Sequence, residues 1–248
     1  MNWVAWEKTI ASVEYGGLGF GSLRDANLAM LAKWWWRFKT EKEALWRRVV
    51  WAIHHRPRAW NEFPGKASIA GPWKNILSIS QPLSLANVDM KQAISASLRS
   101  GNNISFWLDR WADPVPLYLK FPNLFKLELV KECTVVDRLN NGQLGPVFVW
   151  AWSRPELSVE ETVQLQQLIG LIGGFALSAG SDSWVCKYEA SGIFSVASIK
   201  SILGSFIRSN PLRVFEWNSW VPKKVGIVAW RAEMEKLPTK QALSVRNV

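Results

Sequence analysis

The sequence predicts an α+β fold that is mainly helical: an N-terminal helix pair, two small β-hairpins and C-terminal helices. Three observations predict it. Apolar side chains recur at helical spacing in several stretches, often behind a capping residue. Two pairs of short apolar runs flank glycine-containing turns. No strand–helix–strand rhythm alternates along the chain, which argues against a doubly wound parallel sheet.

The elements follow in order. Gly16-Gly17-Leu18-Gly19-Phe20 reads as a turn or a short extended entry. Ser22 stands three residues before Asp25 as a capping box, and Leu28, Leu31, Ala32, Trp35 and Phe38 then share one helical face. Thr40 and Glu43 form a second capping box ahead of a helix with Leu45, Trp46, Val49, Val50 and Ile53 as its apolar face. Arg56-Pro57-Arg58 ends that helix. A loop rich in Pro, Gly and Ser occupies residues 57–72, and short helices are expected over Pro72–Ile79 and Leu83–Gln92. Ile94–Leu98 and Ile104–Leu108, around Ser100-Gly101-Asn102-Asn103, read as the first hairpin. Residues 114–157 give no clear periodic signal. Ser158 and Glu161 make a third capping box, before a helix that should bury Leu165, Leu168, Ile169 and Ile172 and stop at Gly173-Gly174. Trp184–Tyr188 and Ile193–Val196, around Ser191-Gly192, read as the second hairpin, followed by a helix over Ser198–Phe206. Pro222 opens a last helix with Val225, Val228, Ala229 and Ala232 on its apolar face, reaching about Lys236. Seams in composition fall at residues 57–70 and 209–216, so the expected segments are 1–60, 61–208 and 209–248. No fixed-period repeat interrupts this layout.

Hydrophobic residues make up 48 % of the 248-residue chain, enough to form packed cores and to argue against disorder. The net charge of +10 and the pI of about 9.8 favour a polyanionic partner, nucleic acid before an anionic membrane. Seventeen tryptophans are first of all core material, since each brings a large apolar body with one N–H donor. The two cysteines, Cys133 and Cys186, are too few for a zinc site. They leave a disulfide or two free thiols, and the lack of a secretory signal favours thiols and an intracellular chain. No apolar run is long enough for a transmembrane helix.

Catalytic constellations are not legible. The six aspartates at 25, 89, 109, 113, 137 and 182 include no adjacent pair, whereas two-metal chemistry needs clustered carboxylates. Asp109 and Asp113 lie in a Trp-rich, Pro-terminated turn, where capping is the simpler reading. His54-His55 sit at a basic helix end and lack further metal ligands. The glycines at 16–21 lack the Lys-Ser/Thr of a phosphate loop. No catalytic residue and no metal ligand is therefore assigned, and no cofactor is expected in this chain. What remains is basic and aromatic. Lys33, Trp34, Trp36, Arg37, Arg47 and Arg48 form one candidate nucleic-acid-binding cluster, and Lys223, Lys224 and Arg231 form a second. The competing reading is helix packing, with Lys and Arg stems covering the tryptophans.

Four blocks carry a resemblance. The first is Tyr15-Gly16-Gly17-Leu18-Gly19-Phe20 with Leu23, Asn27, Leu31-Ala32-Lys33-Trp34 and Trp36-Arg37. The second is Gly101 with Ile104-Ser105-Phe106-Trp107, Asp109-Arg110-Trp111 and Phe121-Pro122-Asn123-Leu124. The third is Asp182-Ser183-Trp184 with Gly192-Ile193-Phe194-Ser195-Val196; Cys186 stands where a second Trp is common. The fourth is Trp217, Trp220-Val221-Pro222, Lys224-Val225, Trp230-Arg231, Pro238-Thr239, Leu243 and Arg246. In this order they resemble the C-terminal region of plant LINE-type (non-LTR) retrotransposon reverse transcriptases, running into the reverse-transcriptase zinc-binding domain.

The resemblance implies an element-encoded RNA-directed DNA polymerase that acts on RNA and DNA, with the nucleus as its compartment. It implies divalent metal in a polymerase and zinc in a C-terminal module, each outside this chain. Residues 1–60 would be the helical linker after the polymerase and thumb, 61–208 a mixed connecting region, and 209–248 the start of the zinc-binding domain, truncated before its Cys and His ligands. The expected function is a noncatalytic fragment that binds RNA or DNA without sequence preference. The alternative is a structural or protein-interaction remnant without nucleic-acid affinity.

Overall fold

The computed structural model describes residues 4–56, 60–143, 145–205 and 215–244. Helices α1 (Trp6–Ile10), α2 (Leu23–Thr40), α3 (Leu45–His54), α4 (Pro72–Ser78), α5 (Ser80–Ser84) and α6 (Met90–Ala93) lead into strand β1 (Ile94–Ser97). Helices α7 (Leu117–Lys120) and α8 (Pro122–Leu127) precede strands β2 (Leu139–Gly142) and β3 (Gly145–Phe148). Helix α9 (Val159–Ile172), strand β4 (Ser183–Cys186) and helices α10 (Val196–Ser205), α11 (Lys223–Glu233) and α12 (Lys240–Ser244) complete the chain. The fold is α+β and mainly helical, as the sequence predicts. It divides into two compact units, Met1–Ala29 with Ile199–Val248, and Met30–Ser198. The Pro/Gly/Ser-rich stretch after residue 60 lies inside the larger one. Among the described residues no helix is long and apolar enough to cross a membrane.

In the larger unit, α2 buries Ala32, Trp35 and Phe38 at the predicted spacing. Trp35 and Trp73 bury their ring bodies while their N–H groups reach backbone acceptors: Trp35 donates to Ile76 O at 3.0 Å and Trp73 to Pro64 O at 2.7 Å. Phe38 packs on Trp73 with centroids 4.9 Å apart, and Trp35 on Phe63 at 4.7 Å. Thr40 does not cap α3. It is the last residue of α2, and its hydroxyl donates back to Trp36 O.

The expected face of α3 is also overturned. Leu45, Val49 and Ile53 are 74 %, 46 % and 44 % exposed, while His54 is buried and Trp46, Arg47, Val50 and Trp51 are half-buried. At 3.6 residues per turn the buried side is rotated by roughly 100° from the most apolar side. The reason is tertiary: Arg47 and the two indoles find partners inward that the aliphatic side chains do not replace.

The first expected hairpin does not form. β1 pairs antiparallel with β4 instead, with Ile94 opposite Cys186 and Ser97 opposite Ser183. Asp182 decides this locally: its carboxylate accepts the N–H groups of Arg99, Gly101 and Asn103 at 2.8–2.9 Å, curling the turn onto the end of β4. Gly101 sits at φ 76°, and a Cβ there would lie 3.0 Å from Val136 N, so the turn requires glycine. The second expected hairpin keeps only its turn, with Cys186 N–H on Gly192 O at 2.7 Å; β4 is taken by β1, and Val196 already begins α10. The helix expected over Leu83–Gln92 is two short ones, broken by a turn with Asn87 at φ 54°.

A hairpin the sequence did not disclose lies at 139–148, where β2 and β3 pair with Leu139 opposite Phe148. Its continuation stacks Phe148 on Trp150 (5.7 Å, 13°) and Trp150 on Trp152 (5.1 Å, 9°). These rings pack on a core of Ile104, Phe106, Trp107, Leu124, Leu139, Leu168 and Ile172. The Ser158–Glu161 capping box starts α9 as expected, but Ile169 is 37 % exposed. Cys133 and Cys186 are buried free thiols, and burial pushes that of Cys133 up to about 12.

In the smaller unit, Trp230 of α11 is buried and donates to Gly16 O at 2.7 Å, tying the helix to the glycine-rich turn. The backbone of Gly226 closes on the Trp217 ring, where a Cβ would stand 3.0 Å away. Val225, Val228, Ala229 and Ala232, the expected buried face, are exposed; the inward side is Gly226, Ile227 and Trp230. α11 ends at Glu233, short of Lys236, with Glu235 at φ 56°. Most of the seam expected at 209–216 lies outside the described residues.

Candidate nucleic-acid interface

The first candidate cluster gathers on α2, α3 and the turn between them. Lys33 is exposed on α2. Trp34 is half-buried, edge-on to Trp46 at 5.1 Å. The Arg37 guanidinium lies 4.5 Å over the Trp34 ring and makes a two-pronged ion pair with Glu41 at 2.6 and 2.9 Å. The hydrogen bonds that Arg37 donates to Glu41 raise the pKa of Arg37 and lower that of Glu41. Trp36 stacks on Phe194 at 6.3 Å and 25°. Arg47 turns inward, donating to Phe38 O at 2.8 Å and Lys42 O at 3.2 Å, with its guanidinium 4.9 Å over Phe38. Burial lowers its pKa. Arg48 points to solvent, as does Arg56 beyond the end of α3; Arg58 lies outside the described residues.

The cluster is thus divided by use. Arg37 and Arg47 are engaged within the fold, whereas Lys33, Arg48 and Arg56 have no side-chain hydrogen bond or ion pair among the described residues. In the other unit, Lys223 and Lys224 are exposed at the start of α11, and Arg231 is half-buried and donates to Lys236 O at 3.2 Å.

Four carboxylates, Glu62, Asp109, Glu128 and Glu161, are buried among the described residues. Asp109 is buried and accepts Lys39 at 2.8 Å, Lys42 at 2.7 Å and the Ser105 N–H at 2.8 Å. Burial alone would raise its pKa, but the two ammonium groups override that and hold the carboxyl far below the usual range. Lys42 is pulled down, because burial and the neighbouring Lys39 charge outweigh its share of the one carboxylate. Glu62 continues the network with Arg110 at 2.8 Å and Lys39 at 3.6 Å. Glu128 is held by Arg138 at 2.8 Å and accepts the Trp107 N–H. Asp89 caps α6, Asp113 pairs with Lys120, and Asp137 accepts the Thr134 N–H and hydroxyl.

Lys39 and Lys42 were not legible as partners of Asp109, since 70 and 67 residues separate them. Among the described residues no group of three His, Cys, Asp or Glu side chains could hold a metal ion. His54 Nδ1 accepts the Lys66 N–H at 3.4 Å, and His55 stacks on Trp51 at 4.8 Å.

Two known proteins are similar to this chain. One is a protein of Arabidopsis thaliana named as a proposed ribonuclease H protein, 26 % identical over 254 residues, covering 99 % of this chain and 38 % of that protein. The other is an uncharacterized mitochondrial protein of the same plant, 29 % identical over 119 residues, covering 47 % of this chain and 73 % of that protein. The chain therefore spans well under half of the longer relative. No protein-family profile matches it, and no solved structure does.

Proposed function

We propose that this chain is a noncatalytic segment of a retrotransposon-encoded RNA-directed DNA polymerase, and that it holds RNA or DNA through backbone phosphates without reading sequence. The family part rests on the four ordered blocks. The longer relative's name fits it, since reverse transcription leaves an RNA–DNA hybrid whose RNA strand a ribonuclease H removes. The noncatalytic part is supported by the aspartates: Asp89, Asp109, Asp113, Asp137 and Asp182 all spend carboxylate oxygens on partners within the fold. Metal in a polymerase centre and zinc in a C-terminal module belong, in this reading, to other parts of the parent protein. Nuclear location belongs to the same proposal.

One observation carries the binding role. The acids Glu41, Glu62, Asp109, Glu128 and Glu161 are tied to cations within the fold, while Lys33, Arg48, Arg56, Lys223 and Lys224 stand exposed and unpaired among the described residues. A chain of +10 thus shows its excess to solvent. The test is a tryptophan-fluorescence titration with single-stranded RNA and with duplex DNA at low and moderate salt. Saturable quenching that weakens with salt and with Lys33→Glu is the expected result. A folded sample that binds neither at low salt sinks the proposal. A second reading, a protein-interaction scaffold without nucleic-acid affinity, is favoured by the exposed Leu45, Val49 and Ile53.

A further inference from the structure

Helix α3 has two apolar sides, and the fold uses one of them. Trp46, Val50 and Trp51 turn inward with Arg47 and His54. On the other side Leu45, Val49 and Ile53 recur every four residues, all exposed, with the exposed Ala52 among them. At 3.6 residues per turn these four share one arc of the helix. Arg48 borders that arc and Arg56 follows just beyond the end of α3, both exposed and without side-chain partners among the described residues. A stripe of branched aliphatic side chains facing water on a well-formed helix is the feature of a docking surface, because covering it removes apolar area from solvent at about 25 cal/mol per Å².

We propose that this face docks an amphipathic helix of a partner segment whose apolar seam is flanked by Asp and Glu. The spacing of Leu45, Val49 and Ile53 is that of the ridge one helix offers to the groove of another. Charge selects the partner: Arg48 and Arg56 lack acids of their own, and the chain as a whole is +10. A second copy fits poorly. Antiparallel pairing centred on Val49 would set Arg48 beside its own counterpart, between two chains of like charge. Nucleic acid offers no apolar seam to lie on the stripe. A helix lying in a membrane surface would turn its large aromatic groups to the lipid, yet Trp46 and Trp51 face inward. The proposal does not depend on nucleic-acid binding, since Leu45, Val49 and Ile53 have no part in that surface.

The experiment uses the full chain and two synthetic five-turn helices with the same Leu/Ile seam, one flanked by Glu and one by Lys, followed by fluorescence anisotropy. A scrambled peptide with the composition of the Glu-flanked helix controls for charge alone. The Glu-flanked helix should bind saturably, and the other two at least about tenfold more weakly. The surface double variant Leu45→Ser/Val49→Ser should lose about tenfold in affinity for the Glu-flanked helix while its RNA titration is unchanged. Arg48→Glu should shift preference toward the Lys-flanked helix. Circular dichroism establishes that the variants are folded. Absence of saturable binding, equal binding of the scrambled peptide, or indifference to the double variant overturns the proposal. So does a concentration-dependent dimer, or co-sedimentation with phosphatidylserine vesicles, that the double variant abolishes; these would assign the stripe to a second copy or to lipid.

Discussion

Asp109 is a buried carboxylate with both oxygens committed. Two lysines and a backbone N–H converge on a carboxylate that is 3 % exposed. Removing one member of such a buried set leaves charges that neither water nor protein neutralises. Asp109→Ala is therefore expected to cost about 3–5 kcal/mol, read from urea unfolding. The same site sets an acid limit. Its carboxyl lies far below the ordinary value of about 3.9. A depressed carboxylate contributes stability that is complete above the unfolded pKa and is lost as pH falls toward the folded one. Asp182, Asp113 and Asp137 are depressed too, against burial in the first two cases and chiefly by the Thr134 N–H in the third. Urea midpoints should fall slightly below about pH 6.5, where burial holds His54 neutral, and steeply below about pH 5 as the depressed carboxylates are challenged, less steeply in Asp109→Asn. A flat acid profile in the wild type would contradict this assignment.

At the scale of elements, neighbouring arginines on α3 have opposite fates. Arg47 donates to two carbonyls and covers Phe38, whereas Arg48 touches solvent. Arg47→Ala should lower stability by about 1–3 kcal/mol, and Arg48→Ala by no more than about 0.5 kcal/mol. Equal costs would mean that α3 is not rotated as described. The β1–β4 pair depends on Asp182 in a comparable way. Asp182→Ala leaves the N–H of the buried Gly101 without an acceptor, while those of Arg99 and Asn103, both exposed residues, can turn to water. The expected loss is about 1–2 kcal/mol, with amide exchange rising at Gly101 first.

At the scale of the whole molecule, charge is sorted between inside and outside. Glu41, Glu62, Asp109, Asp113, Glu128 and Glu161 pair with cations within the fold, while Lys33, Arg48 and Arg56 face solvent. If Lys33, Arg48 and Arg56 each meet one phosphate, the logarithm of the affinity for single-stranded RNA should fall with a slope of about −2 against the logarithm of salt. Each charge reversal should reduce that slope by about 0.7. A salt-independent affinity would point to stacking alone. Tryptophan quenching reports such binding only through Trp34 and Trp36 in this cluster, because Trp35 is buried.

Much of this protein is written locally. The start of α2, both ends of α9, the Ser158–Glu161 capping box, the Pro222 helix start and the burial of Trp35 and Phe38 all follow from residues within a turn or two of one another. Cap hydrogen bonds and helical period act over three or four residues, so the sequence determines them by itself. The family resemblance and the basic excess were legible for the same reason: they are properties of residues in order. Three matters were decided only by the tertiary structure: which side of α3 turns inward, that β1 pairs with β4 rather than with its neighbour, and that Asp109 meets Lys39 and Lys42. Each joins groups dozens of residues apart or weighs one apolar face against another. A two-residue or four-residue period fits several such pairings equally well, and only the simultaneous packing of Trp, Arg and buried carboxylates selects among them.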